Sequence, residues 1–319
     1  ILGHQLFDRR IGVLAGLVYA IWPGILYFTG LAMTEVLFGF LSILYLTLLL
    51  RFGRADPARH WAGYFAIGVS FTAALFVRVE ILMFLPATAL WLLWVHGLST
   101  RMVRATAILV VTVAMLLAPW TLRNYRIFDR FIPTSANSWI ALAHANHPEA
   151  NGRHNFQIML DLRAKHHAGD FSATTVALND AGFREVVSFV REQPRAWLAL
   201  LPQQFWGSYG GDNWAARVAW GSPFFGNSKA PRWVYQVANR YWFGVLFFAA
   251  IGLLSIPRWR PDARVLVLTT YATFFFLKFI ILGSQRYHFY ETPLLAMLAA
   301  WGLYLIFEKL LAFRPRSKV

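Results

Sequence analysis

Eight runs of mostly apolar residues dominate this chain, at 11–29, 32–50, 61–77, 79–96, 104–120, 240–256, 264–282 and 291–311. An α-helix needs about 20 such residues to cross roughly 30 Å of hydrocarbon. Exposed strand edges cannot be satisfied in lipid, so the runs are read as helices. The expected fold is therefore all-α, a polytopic transmembrane helical bundle of about eight spans. Composition agrees, with 58% hydrophobic and 14% charged residues, where a soluble domain carries about a quarter charged.

The net charge of +15 raises nucleic acid as a partner, but the cations are divided among short loops between apolar runs. Arg9 and Arg10 precede the first run; Arg51, Arg54 and Arg59 follow the second. Arg101 and Arg104 follow the fourth, Arg258, Arg260 and Arg264 the sixth, and Arg314, Arg316 and Lys318 the eighth. Every second loop is basic, the pattern of a membrane protein whose basic loops face the cytoplasm. The opposite side receives the turns near Thr29–Glu35 and Arg78–Glu80, the segment 121–239 and the turn 283–290. The expected organisation is a membrane module over 1–120, an external, mostly helical loop domain over 121–239, and C-terminal membrane helices over 240–319. Within the loop domain, Phe183, Val187 and Val190 recur on one helical face. Pro194 interrupts that helix, and Trp197, Leu198, Leu201 and Phe205 begin a second apolar face. There is no cysteine, which excludes disulfides and thiolate metal sites.

Ionisable side chains within a bilayer are costly, so their placement is informative. Here Glu35, Arg78, Glu80, Arg123, Lys278, Arg286 and His288 gather at the external ends of spans, and span centres are almost free of charge. Most have an ordinary explanation. Glu35 can complement a helix dipole, Arg78 and Glu80 can pair across a turn, Arg123 can anchor the interface, and Lys278 can snorkel outward. As a group, cations and carboxylates on one face suit a phosphate-bearing substrate, with arginine forks on phosphate oxygens and carboxylates handling a hydroxyl or a metal. His144, His147, His154, His166 and His167 raise zinc, but they lack a ligand spacing such as HExxH. Walker A, GxGxxG and GxSxG motifs are also missing.

Several stretches, in order, resemble the GT-C glycosyltransferases that use polyprenyl-phosphate sugars, including relatives of protein mannosyltransferases (glycosyltransferase family 39) and of aminoarabinose transferases. FDRRIGVLAGLVYAIWP resembles their basic turn and third span, and LAMTEVLFGFL the T-E start of the fourth. FVRVEILMFLP is similar to an R-P-E-G motif in which Val79 and Ile81 replace proline and glycine. APWTLRNYRIFDRFIPTSANSWIALAHANHPEANG resembles P-W-x-x-R-N-Y followed by an Asn-rich loop. FVREQPRAW is similar to a helix ending in H-P, with Gln193 for histidine. QRYHFYETPLLAMLAAWGL resembles R-Y-x-x-P-x-x-P-x-L, with proline displaced to Pro293.

The resemblance implies an integral membrane protein of a bacterial inner membrane. It implies transfer of a sugar from a polyprenyl-phosphate donor to a lipid, glycan or protein acceptor at the external face. By it, Glu35 is a catalytic-site carboxylate matching the second acidic position. Arg123, Asn124 and Arg286 hold phosphate, and Arg78, Glu80 and His288 complete the substrate site; a divalent metal is a candidate cofactor. The opening ILGHQLFDRR reads as the tail of a span. The resemblance accordingly implies that two spans, and an external loop bearing the catalytic aspartate, precede Ile1. The 319-residue chain alone is then expected to be inactive. A lipid-linked oligosaccharide ligase and a lipid-linked-sugar flippase or transporter are the competing readings, the latter wanting polar groups along a path at membrane depth.

Overall fold

A computed structural model describes residues 1–312 apart from 32, 137, 153–154, 167–170 and 256–260. Arg258, Arg260, Arg314, Arg316, Lys318, His154 and His167 lie outside the described residues. Among those described, every regular element is a helix.

The chain opens with α1 (Leu2–Leu6), α2 (Arg9–Ala20) and α3 (Pro23–Thr29). The Asp8 carboxylate caps α2 by accepting the Ile11 N–H at 2.8 Å. Pro23 cannot continue that ladder and starts α3 instead, so α2 and α3 meet at 63°. The run 11–29, expected as one span, is therefore a bent pair. Next come α4 (Glu35–Phe52), α5 (Trp61–Val77), a 3₁₀ turn (Val79–Phe84) leading into α6 (Leu85–His96), and α7 (Thr100–Phe128). α7 does not stop near residue 120: it runs through Pro119 for two further turns and ends at Asp129 in the left-handed region.

The segment after α7 holds α8 (Ser138–Ala143), α9 (Phe156–Lys165), α10 (Phe171–Glu192), α11 (Pro194–Tyr209) and α12 (Trp214–Trp220). Ala143, Ile158, Leu162 and Ala181 make a small apolar cluster there, separate from the main core. The α10 face that packs carries Leu178, Ala181, Val186 and Phe189. The expected Phe183, Val187, Val190 stripe is thus rotated off centre, and Phe183, 44% exposed, meets Trp139 in an edge-to-face contact. The second stripe is displaced too: Leu200, Gln204 and Ser208 form the buried α11 face and Leu198 is exposed. Pro194 separates the two helices as expected.

α13 (Arg232–Leu254), α14 (Pro261–Leu277), a 3₁₀ turn (Gln285–Glu291) and α15 (Thr292–Ala312) complete the chain. Gly252 of α13 and Gly302 of α15 face each other's helix, and a Cβ on either would collide with a carbonyl across the interface. Small residues let membrane helices approach this closely. α15 is the central helix: 72% of its apolar window is buried, against 11% for α7 at the periphery.

Five helices are long and apolar enough to cross a membrane, and six if the bent α2–α3 pair is one span. The expected 61–77 and 264–282 spans correspond to apolar helices below 18 residues. Large exposed apolar side chains on the outward faces, such as Phe40, Val110, Met115 and Phe247, fit lipid as the surrounding solvent.

Candidate functional site

The residue just after α5 and the first of α4 bring the first charges together. Thr34 precedes α4 without capping it; its hydroxyl accepts from Arg78 Nη1 at 2.9 Å instead. Arg78 is extended between α5 and the 3₁₀ turn, which aims its guanidinium back across the bundle. The same Nη1 donates to Glu35 Oε1 at 3.1 Å, and Nη2 to Glu80 Oε1 at 2.9 Å. Glu35, fully buried at the start of α4, also receives Arg286 Nε on Oε1. One carboxylate oxygen therefore serves two guanidiniums, and Glu35 Oε2 is buried without a hydrogen-bond partner.

Aromatic rings support these cations. The Tyr290 hydroxyl donates to Glu80 Oε1 at 2.8 Å, and Arg78 lies 4.9 Å over the Tyr290 ring. Arg286 lies 5.6 Å over Trp214. Lys278, fully buried, donates to the Tyr287 carbonyl at 2.5 Å with Glu291 Oε1 at 3.6 Å. Three cations (Arg78, Arg286, Lys278) thus face three carboxylates (Glu35, Glu80, Glu291), and this buried network is electrically closed.

Arg123 is different. It lies one helical turn after Trp120 on α7, where its guanidinium sits 4.9 Å over the indole and donates to Asn124 Oδ1 at 3.0 Å. Among the described residues it has no carboxylate partner. Asn124, buried, donates to the Ile132 carbonyl at 2.8 Å, and the Trp120 indole N–H donates to the Thr134 carbonyl at 3.2 Å. The two side chains that position Arg123 therefore also hold the strand of chain that turns back over it.

That turn roofs a cavity of about 980 Å³. Its polar lining includes Arg78, Glu80, Arg123, Asn124, Thr134 and Ser138; its apolar lining includes Phe76, Met83, Leu277 and Ile281. Four of the seven residues expected at the site, Arg78, Glu80, Arg123 and Asn124, line one cavity. Glu35 and Arg286 do not line it; they stand behind Arg78. The expected catalytic carboxylate is accordingly a sequestered counter-ion.

His288 is also away from the cavity. Its ring is buried and stacked on Trp242 at 4.0 Å. Nδ1 lies 2.7 Å from the Ser208 carbonyl and Nε2 lies 3.0 Å from Asp212 Oδ1. Asp212 Oδ2 accepts the Trp22 indole N–H at 2.6 Å, and its backbone N–H donates to Asn239. His288 belongs to a bolt joining α2–α3, α11, α13 and the turn before α15, and both ring nitrogens are occupied within the protein.

Residue-by-residue reading overlooked Trp120, Tyr290, Trp214, Asp212 and Glu291. Trp120 carried a signal, since residues three and four apart on a helix share a face with Arg123 and Asn124. For a divalent metal the carboxylates present do not fit: Glu35 and Glu80 are each engaged by a guanidinium. Among the described residues no three His, Asp or Glu side chains converge. No family model, no curated protein and no solved structure matches the chain.

Proposed function

We propose that the chain is a GT-C-like membrane glycosyltransferase, which moves a sugar from a polyprenyl phosphate to a lipid, glycan or protein acceptor. In this reading the apolar runs form eight spans in a bacterial inner membrane, and 121–239 lies on the external side above the cavity. One observation carries it: Arg123, a cation with no carboxylate partner among the described residues, faces a cavity that joins a polar wall to an apolar one formed by residues such as Phe76, Met83, Leu277 and Ile281. Such a cavity suits an amphiphile with an anionic head. Arginine binds phosphate through its planar fork, and Trp120 and Asn124 hold that fork in place before the ligand arrives.

In the transfer, the bond between the anomeric carbon and the phosphate oxygen breaks as the acceptor oxygen bonds to that carbon. The acceptor proton passes to a base, and the lipid phosphate leaves with the electron pair. Arg123, with Arg78 behind it, stabilises the charge that develops on the departing phosphate; donors fixed in advance are effective at this task. Glu35 and Glu80 hold Arg78 in position and are not assigned the base.

The test compares binding of a polyprenyl phosphate and of the corresponding polyprenol to the detergent-solubilised chain by native mass spectrometry. The phosphate should bind more tightly, and Arg123→Ala should reduce its affinity about tenfold or more, the value of a charge-assisted hydrogen bond. Equal binding of phosphate and alcohol, or an unchanged Arg123→Ala variant, would remove the reading.

A further inference from the structure

A second groove, of about 590 Å³, lies at the opposite end of the bundle between the last turns of α6 and the first turns of α14. Leu90, Leu93 and Trp94 form one wall, and Val265, Leu268 and Thr269 the other. Both walls are i, i+3, i+4 sets, so each is one face of its helix. Leu90 and Trp94 are 48% and 59% exposed at the rim, and Leu93, Val265 and Leu268 are half-buried within.

Three features limit what fills it. Between helices with lipid-facing apolar surfaces, such a furrow is filled from the bilayer. Trp94 stands near the end of α6, the depth at which tryptophan favours the membrane interface. Arg264, half-buried in the first turn of α14, lines the same groove. Its guanidinium has five N–H donors and can serve more than one acceptor. Arg101 and Arg104 begin α7 just beyond the turn that follows α6, so this end of the bundle is cationic.

We infer that the α6–α14 groove binds an anionic glycerophospholipid, one acyl chain between the two apolar walls and the phosphate at Arg264. Basic pockets between membrane helices at the arginine-rich side are suited to anionic head groups. The site is separate from the cavity near Arg123, and the inference is independent of the transferase reading.

The detergent-solubilised chain would be offered equimolar phosphatidylglycerol and phosphatidylcholine, and retained lipid measured by native mass spectrometry. Wild type should favour phosphatidylglycerol by about fivefold, the effect of one cationic contact at the head-group level. Arg264→Gln should equalise the two lipids. Leu268→Trp, which fills the groove, should reduce retention of both while helix content by circular dichroism is unchanged. Equal retention by wild type, or a preference that survives Arg264→Gln, overturns the inference. So does full retention by a folded Leu268→Trp variant.

Discussion

Glu35→Ala tests the architecture of the buried charge network most directly. Glu35 Oε1 is the shared acceptor of Arg78, at 3.1 Å, and of Arg286. Its loss leaves Arg78 with Glu80 at 2.9 Å but strands Arg286, which has no second carboxylate partner among the described residues. Removing one partner of a buried ion pair costs about 3–5 kcal/mol, mostly because the other charge is left uncompensated. The Arg286 side chain is 29% exposed and reaches some solvent, which places the expected loss near the lower end, about 3 kcal/mol. Arg286→Ala should be milder, about 1–2 kcal/mol, because Glu35 keeps Arg78. The double variant Glu35→Ala/Arg286→Ala removes the stranded cation and should be less destabilised than the sum of the singles by about 1–3 kcal/mol. Equilibrium unfolding in mixed micelles at increasing detergent denaturant, followed by tryptophan fluorescence, measures all three. Strict additivity, or a Glu35→Ala loss below about 1 kcal/mol, would refute the account of Glu35 as a counter-ion. A Glu35→Ala variant of full stability that binds donor as wild type does but loses sugar transfer would return Glu35 to catalysis.

Trp120→Leu removes both the ring beneath Arg123 and the donor to Thr134, so it should weaken polyprenyl-phosphate binding by about two- to fivefold and speed amide exchange over 132–135. Trp120→Phe keeps a ring face and should retain most of the affinity while losing the protection, which separates the two roles. Gly283→Ala drives a Cβ into the Gly152 carbonyl oxygen, where the Gly283 N–H now donates at 2.9 Å. Its expected loss is about 1–3 kcal/mol, read as a lower melting temperature. Asp56, in the turn after α4, has its pKa lowered by the Ala58 N–H; burial opposes this, and Arg101, Arg59 and Arg104 add to it. A depressed carboxylate contributes stability above its unfolded value that is lost as pH falls through the folded one. The stability difference between wild type and Asp56→Asn should therefore shrink as pH drops below about 4, and a difference that grows with acid would contradict this.

The helices were legible because apolar runs in a bilayer permit little else. α4 and the 3₁₀ turn with α6 fall within a few residues of the runs at 32–50 and 79–96, and α13 ends within a few residues of the run at 240–256. Summed hydropathy misleads where a local backbone event decides. Pro23 breaks 11–29 into two helices, whereas Pro119 is carried inside α7. Both prolines were visible; which one breaks its helix is settled by packing. The charge network was legible in part for a related reason. In a chain with few ionisable residues near its spans, those at the same ends of neighbouring spans must find one another or stay unpaired. Glu35, Arg78, Glu80, Arg286 and Lys278 do share one neighbourhood, although Glu35 meets Arg286 across 251 positions.

Roles within that neighbourhood were not legible, because a role depends on which side of a pair faces the cavity. Glu35 and Glu80 carry the same group and both touch Arg78, yet only Glu80 lines the cavity, and the 20% exposure of its side chain against 0% for Glu35 marks the difference. The same limit applies to His288 and Asp212. A carboxylate in the Gly-Gly-Asp-Asn turn at 210–213 reads as a solvated loop, and a histidine before a span reads as an interfacial one. They become a buried unit because the α2–α3 bend delivers Trp22 Nε1 to one Asp212 oxygen and the turn before α15 delivers His288 to the other. Burying a carboxylate is costly unless it is paired and hydrogen-bonded, and both Asp212 oxygens have partners. The bend at Pro23, which broke an expected span, is thus also what allows Asp212 to be buried.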